Sequence, residues 1–152
     1  MRVFLCSMCA CLLLTACGRE LSVEQQIIAT LRSMEVAAEN GEHFDFMGFV
    51  ADPFEGQQGT MDRREFHRFM IFQINQNRRL QAKFFPIHVL ETGDGLASAH
   101  FNLLVTGGGS LLPENGQVFA VETRWVGDDG DWKLSYADWE PIELPDIPVR
   151  EN

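Results

Sequence analysis

The strongest constraint on this chain is a change of period near Lys83. Before it, apolar residues recur at helical spacing; after it, they alternate with polar ones. A repeat of three to four lines one face of a helix, and a repeat of two sends successive side chains to opposite faces of a strand. Ile27, Ile28, Leu31, Met34 and Ala38 form the first helical stripe. Ser22 with Gln25 three residues on opens it as a capping box, and Gly41 closes it. Phe46, Met47, Phe49 and Val50 predict a short second helix, ended by Pro53, with Asp52 biased to extended backbone. After the polar loop "EGQQGT", Asp62 with Glu65 caps a third helix running to about Gln81. Its apolar face is Phe66, Phe69, Met70 and Ile74, widened by Ile71 and Phe72 so that more than one side is expected to be enclosed.

From Lys83 onward, Phe85, Ile87 and Val89 alternate with Pro86, His88 and Leu90. Ala97, Ala99, Phe101, Leu103 and Val105 alternate with Ser98, His100, Asn102 and Leu104. Phe119, Val121, Thr123 and Trp125 alternate with Val118, Ala120, Glu122 and Arg124. Trp132, Leu134 and Tyr136 alternate with Lys133, Ser135, Ala137 and Trp139. "TGDG", "TGGGSLLPENG" and "GDDGD" supply the turns. Three helices followed by four hairpin-linked strands make an α+β fold, with N-terminal helices packed on one face of an antiparallel sheet. The other face is left for water or a partner.

All four cysteines, Cys6, Cys9, Cys11 and Cys17, lie at the start of the chain. One C-x-x-C with no second pair and apolar residues between is a poor zinc site. It is also a poor disulfide framework, which would staple distant segments. A secretory leader fits better: Arg2, then an apolar run from Val3 to Leu14, too short to span a bilayer. Leu14-Thr15-Ala16-Cys17 resembles the bacterial lipobox. The resemblance implies cleavage between Ala16 and Cys17, lipidation of Cys17, and stable anchoring by its acyl chains. Gly18 rather than Asp after the cysteine implies the outer membrane, periplasmic side. The expected organisation is a leader at 1–16, a lipidated tether at 17–21, one domain at 22–142 and a Pro-rich tail at 143–152. The mature chain would hold no free thiol.

Loss of Arg2 with the leader takes the formal charge from −10 to −11. So acidic a surface repels phosphate backbones and argues against nucleic acid, despite the basic-aromatic run "RREFHRFMIFQINQNRR". Twelve Phe and three Trp argue for a filled core rather than disorder.

The segments "MEVAAENGEHFDFMGFVADPF", "ASAHFNLLV" and "GDWKLSYADWEP" resemble the nuclear transport factor 2-like superfamily, over most of residues 23–142. That resemblance implies a cone: a curved sheet wrapped around a long N-terminal helix, often with a pocket between them. It implies fold better than function, because the superfamily holds isomerases, cyclases, dehydratases, transport adaptors and binding domains.

The expected pocket residues are Asp52, Phe54, His67, Trp125, Tyr136 and Asp138. Tyr136 and Asp138, two apart, are expected to share a strand face with Trp132 and Leu134, as the polar end of an apolar pocket with Asp138 as a base. The plainer reading is a satisfied core Tyr and a rim Asp. Asp52 is either a pocket carboxylate raised by Phe49 and Phe54 or a turn residue bonding its own backbone. His67, with no H-x-x-x-H, reads as structural. His88, His100, Asn102, Glu122 and Arg124 form the outer sheet face. They could ligate zinc only if strand register aligned them, and the plainer reading is a solvated or dimer face. No metal or cofactor is expected.

Three functions compete. The first is a membrane-tethered, non-enzymatic module binding a small apolar ligand or an envelope partner. The second is an isomerase- or cyclase-type enzyme with a desolvated carboxylate as general base. The third is a ligand-free homodimeric scaffold joined through the outer sheet face, which a side-chain-filled cone would favour.

Overall fold

The computed structural model describes residues 21–76, 81–107, 116–128 and 130–142. The leader, Ala16 and Cys17, most of the tether, the tip of the long hairpin loop and the tail lie outside the described residues. Among those described, no helix is long and apolar enough to cross a membrane.

Helix α1 (Val23–Asn40) starts and stops where its sequence directs. The Ser22 side chain accepts from the Gln25 backbone N–H, Gln25 answers in kind, and Gly41 ends the helix in the left-handed region at φ 78°. Ile27, Leu31, Met34, Ala37 and Ala38 are buried beneath it. Helix α2 (His43–Gly48) is short and buries Phe46 and Met47. Helix α3 (Arg63–Gln76) carries the second capping box. Asp62 Oδ1 accepts from the Glu65 N–H at 2.7 Å, and Glu65 Oε2 accepts from the Asp62 N–H at 3.0 Å. It stops at Gln76, and Gln81 already belongs to a strand. Phe72 is 56% exposed, so α3 is covered on one side only.

Among the described residues the sheet has six strands, two more than the alternation shows. They are β1 (Val50–Gly56), β2 (Met61–Asp62), β3 (Gln81–Gly93), β4 (Leu96–Thr106), β5 (Gln117–Asp128) and β6 (Asp131–Ile142). Their order is β2-β1-β6-β5-β4-β3. The chain leaving α2 is therefore a strand and not a helix exit. Asp52 is extended before Pro53, as the proline demands. The β1–β6 pairing is parallel and interrupted between Val50 and Glu55, so Pro53, which has no N–H to donate, sits in the unpaired stretch. All other pairings are antiparallel, and the curved sheet is mixed.

Two irregularities reset which face the side chains take. On β3, the register slips between Phe85 and Ile87. Pro86 is tolerated there because β3 is an edge strand. Phe84, Ile87 and Val89 pack on the core, and Phe85, expected among them, is 44% exposed. On β6, Arg124 pairs with Tyr136 but Trp125 pairs with Leu134, leaving Ser135 as an extra residue. Its hydroxyl donates to the Arg124 carbonyl at 3.1 Å. Trp132 and Leu134 before this bulge point into the core, as does Ala137 after it.

The inner face of the sheet and the three helices share one core. Trp125 is 1% exposed and donates from Nε1 to Thr123 Oγ1 at 2.9 Å, which in turn donates to the Ala99 carbonyl. One charge is buried with it. Glu35 of α1 accepts from Arg32 at 2.7 Å and from Lys83 of β3. Burial works against its ionisation, but the hydrogen bonds from Lys83 and Arg32 outweigh burial and hold the carboxyl below the ordinary range. Glu39 accepts from the Ala82 N–H at 3.1 Å, so α1 is tied to the edge strand by two adjacent carboxylates.

Candidate functional site

Antiparallel register places residues directly opposite one another in rows, with side chains of a row on one face. His88 pairs with His100, His100 with Glu122, and Glu122 with Asp138. Four polar side chains from β3, β4, β5 and β6 thus form one row across the outer face. The alignment that sequence alone left open is real. A second row follows, Asn102 beside Ala120 beside Glu140, and Pro86 adjoins it. Together these line an open groove of about 540 Å³, which Phe101, Val121 and Trp139 also border.

One step along the strands lies the row Leu90, Ser98, Arg124, Tyr136. The Arg124 guanidinium carbon sits 4.2 Å from the centre of the Tyr136 ring, a cation–π contact across the pair. Burial and then the Asp138 carboxylate push the Tyr136 hydroxyl up from its ordinary value. Asp138 accepts from the Trp139 N–H at 3.1 Å and from Gln58 at 3.5 Å. Leu90, Leu96 and Val126 are exposed at this end of the face. Among the described residues, no three His, Cys, Asp or Glu side chains converge as a metal cluster.

The expected pocket residues do not come together. Tyr136 and Asp138 sit beyond the Ser135 bulge, in rows with Arg124 and Glu122, on the face opposite Trp132 and Leu134. Strict alternation fails there because the extra residue exchanges the two faces. Asp52 is exposed on β1. Phe54 and Trp125 are core residues: Phe54 stacks on Phe66 with ring centres 4.7 Å apart, in an aromatic cluster with Phe69 and Trp139. The side of the sheet facing the helices is packed with these rings.

His67 is half-buried on α3 and has a partner that the sequence reading did not weigh. Its Nε2 lies 3.0 Å from Nδ1 of His43 on α2. Burial, then the charges of His43 and Arg63, lower the His67 pKa. Nothing in the spacing signals the contact, because α2 and α3 are separated in the chain by β1 and β2.

No family model and no curated protein matches the chain. Solved structures do. It is similar to an NTF2-like protein of unknown function from Pseudomonas putida KT2440, with TM-score 0.67 and 14% identity over 80% of this chain and 89% of that one. It is similar to a candidate dehydratase of the NTF2-like family from Streptomyces avermitilis, with TM-score 0.65 and 17% identity over 79% and 96%. It is also similar to Bdellovibrio bacteriovorus Bd1075, with TM-score 0.66 and 8% identity, covering 78% of this chain but 41% of that longer protein. The chain has the NTF2-like, cystatin-like fold.

Proposed function

We propose that this NTF2-like chain is a lipid-anchored, non-enzymatic binding module on the periplasmic side of the bacterial outer membrane, and that it engages an envelope partner through the outer face of its sheet. The observation that carries this is the row His88, His100, Glu122, Asp138, which four adjacent strands present along one open groove. A polar floor with exposed Leu90 and Leu96 at its margin has the make-up of a protein-binding face, with a few apolar anchors beside hydrogen-bonding groups. The helix-facing side is occupied by the Phe54, Phe66, Phe69 and Trp139 rings, and neither Asp52 nor Asp138 lies among them. That arrangement disfavours the general-base reading and a small apolar ligand within the cone.

A homodimer through the same face is the second reading, favoured by Leu90, Leu96 and Val126 exposed together. Nucleic acid is disfavoured by the mature charge of −11 that loss of Arg2 leaves. A photo-crosslinking residue at His100 in cells separates the cases. An adduct with another envelope protein is expected, and an adduct with the chain itself assigns the face to dimerisation. No adduct, together with a small molecule carried through gentle purification and lost on denaturation, would overturn the reading in favour of a ligand pocket. For the anchor, Cys17→Ser is expected to abolish acyl-chain labelling and release the protein from the membrane fraction; labelling that persists would refute it.

A further inference from the structure

Away from the groove, two imidazoles join α2 to α3. His43 opens α2 and His67 lies one turn into α3. His43 Nδ1 and His67 Nε2 stand 3.0 Å apart in a hydrogen bond, and the ring centres are 5.2 Å apart. The Phe44 ring lies against both, 4.3 Å from His43 and 5.4 Å from His67. A second tie runs beside this one: Arg63, at the start of α3, donates to the Met47 and Val50 carbonyls. Carbonyls do not titrate and Arg keeps its charge, so that tie is indifferent to pH. The imidazole bond is not.

With both rings neutral, one of the facing nitrogens donates and the other accepts. One added proton goes to the free nitrogen of the donor ring. A charged donor then faces a neutral acceptor, which is a stronger hydrogen bond. A second added proton goes to the acceptor nitrogen, leaving a donor on each side and no acceptor between them. No carboxylate compensates: among the described residues no ion pair reaches either ring. The charged groups on the elements packed here are Glu39 of α1, Glu42 at the α2 cap, Asp45 of α2, Asp52 and Glu55 of β1, Asp62 of β2, and Arg63, Arg64, Glu65 and Arg68 of α3. Glu39 is engaged by Lys83 and the Ala82 N–H, and Glu65 by the Asp62 N–H and Arg68. Burial, then the charges of His43 and Arg63, hold the His67 imidazole below its ordinary 6.5.

We propose that the His43–His67 bond is a pH-sensitive clasp between α2 and α3, which holds with no added proton or with one and parts when both rings are charged. Two unit charges about 5 Å apart repel enough, even at the dielectric constant of water, to shift an equilibrium about fourfold. The sign follows from the direction of the His67 shift. His67 takes its proton only below 6.5, so the clasp's contribution is complete above that pH and is lost as pH falls through the lower native value. When the rings part, Arg63 still holds the end of α2, and the Phe49 carbonyl still accepts from the Leu134 N–H of β6 at 2.8 Å. The release therefore loosens α2 and leaves the core folded.

The test uses the isotope-labelled full chain in detergent micelles, followed by NMR spectroscopy from about pH 7.5 down to about pH 4.5. A nitrogen–nitrogen coupling across the His43–His67 bond is expected near neutral pH. The pair should titrate in two separated steps and lose the coupling in the second. Over that second step, amide exchange at Phe46, whose N–H donates to the Glu42 carbonyl, should quicken about fourfold or more relative to the α1 amides. His67→Gln keeps a neutral hydrogen-bonding group that cannot titrate, so the pH dependence of that ratio should vanish. His43→Ala should show the faster ratio at both ends of the range. The proposal is overturned if the coupling persists through both titrations, if each ring titrates as it does in the variant lacking the other, or if His67→Gln retains the wild-type pH dependence. Because His43 and His67 make no part of the groove, failure here leaves the sheet-face reading intact.

Discussion

Consider replacement of Lys83 by Met against replacement of Glu35 by Gln. The two residues form one ion pair, yet their surroundings differ: the Glu35 side chain is 7% exposed, and those of Lys83 and Arg32 are 59% and 50% exposed. Removing a partner of a buried pair costs about 3–5 kcal/mol when the orphaned charge cannot reach water. Exposed pairs are worth about 0.2–1 kcal/mol. In Glu35→Gln the orphans are Lys83 and Arg32, which swing into solvent, so the loss should be about 1 kcal/mol. In Lys83→Met the orphan is the Glu35 carboxylate, which keeps only the Arg32 hydrogen bond at 2.7 Å; about 2 kcal/mol should be lost, part of the full penalty. The double variant should be no worse than Glu35→Gln alone, a coupling of about 2 kcal/mol where independent sites would simply add. Urea denaturation of all four proteins at neutral pH measures this. If Glu35→Gln proves the costlier single change, or the two effects add, the reasoning from exposure is wrong.

Three further outcomes follow from the packing and charges of the same core. Gly127→Ala would place a Cβ 2.4 Å from the Trp132 ring, so the ring or strand must move; about 1–3 kcal/mol of stability should be lost in thermal melts. Phe54→Ala removes a buried ring stacked on Phe66 and should cost about 3–5 kcal/mol in denaturant titrations, whereas Asp52→Ala, at an exposed position, should leave stability unchanged. The Glu35 carboxyl is held below its ordinary value of 4.5, so its contribution is complete above that value and disappears as pH falls through the lower native one. Acid titration of Glu35→Gln should therefore show a shallower loss of stability below pH 4.5, and an unchanged slope would count against the assignment.

The sequence was most readable where structure is local. Ser22 with Gln25, and Asp62 with Glu65, satisfy helix ends within one turn, so spacing alone locates them. β4 and β5 keep an uninterrupted alternation because each is paired on both sides by long antiparallel neighbours. β1 escaped notice for the opposite reason. It is seven residues broken by Pro53, and its partner is β6 at the far end of the chain, in parallel. Bulges are invisible in the same way, since an extra residue exists only relative to the strand opposite. Hence strict alternation puts Phe85, Tyr136 and Asp138 on the wrong faces. The groove row was half-legible: its members were recognisable as outer-face residues, but their alignment depends on register. The His43–His67 contact joins two helices whose packing no periodicity encodes.

The Ser135 bulge behaves like a frameshift in a message with two interleaved readings. Downstream of it, one reading, Tyr136, Asp138 and Glu140, is displayed outward, and the other, Ala137 and Trp139, is spoken inward. Excising that single residue would exchange the two without altering any other letter, delivering a phenol and a carboxylate into the aromatic interior and turning an indole toward water. A chain of this architecture thus stands one deletion away from the polar interior that a catalytic cone requires, and the inserted serine is what keeps those groups on the surface.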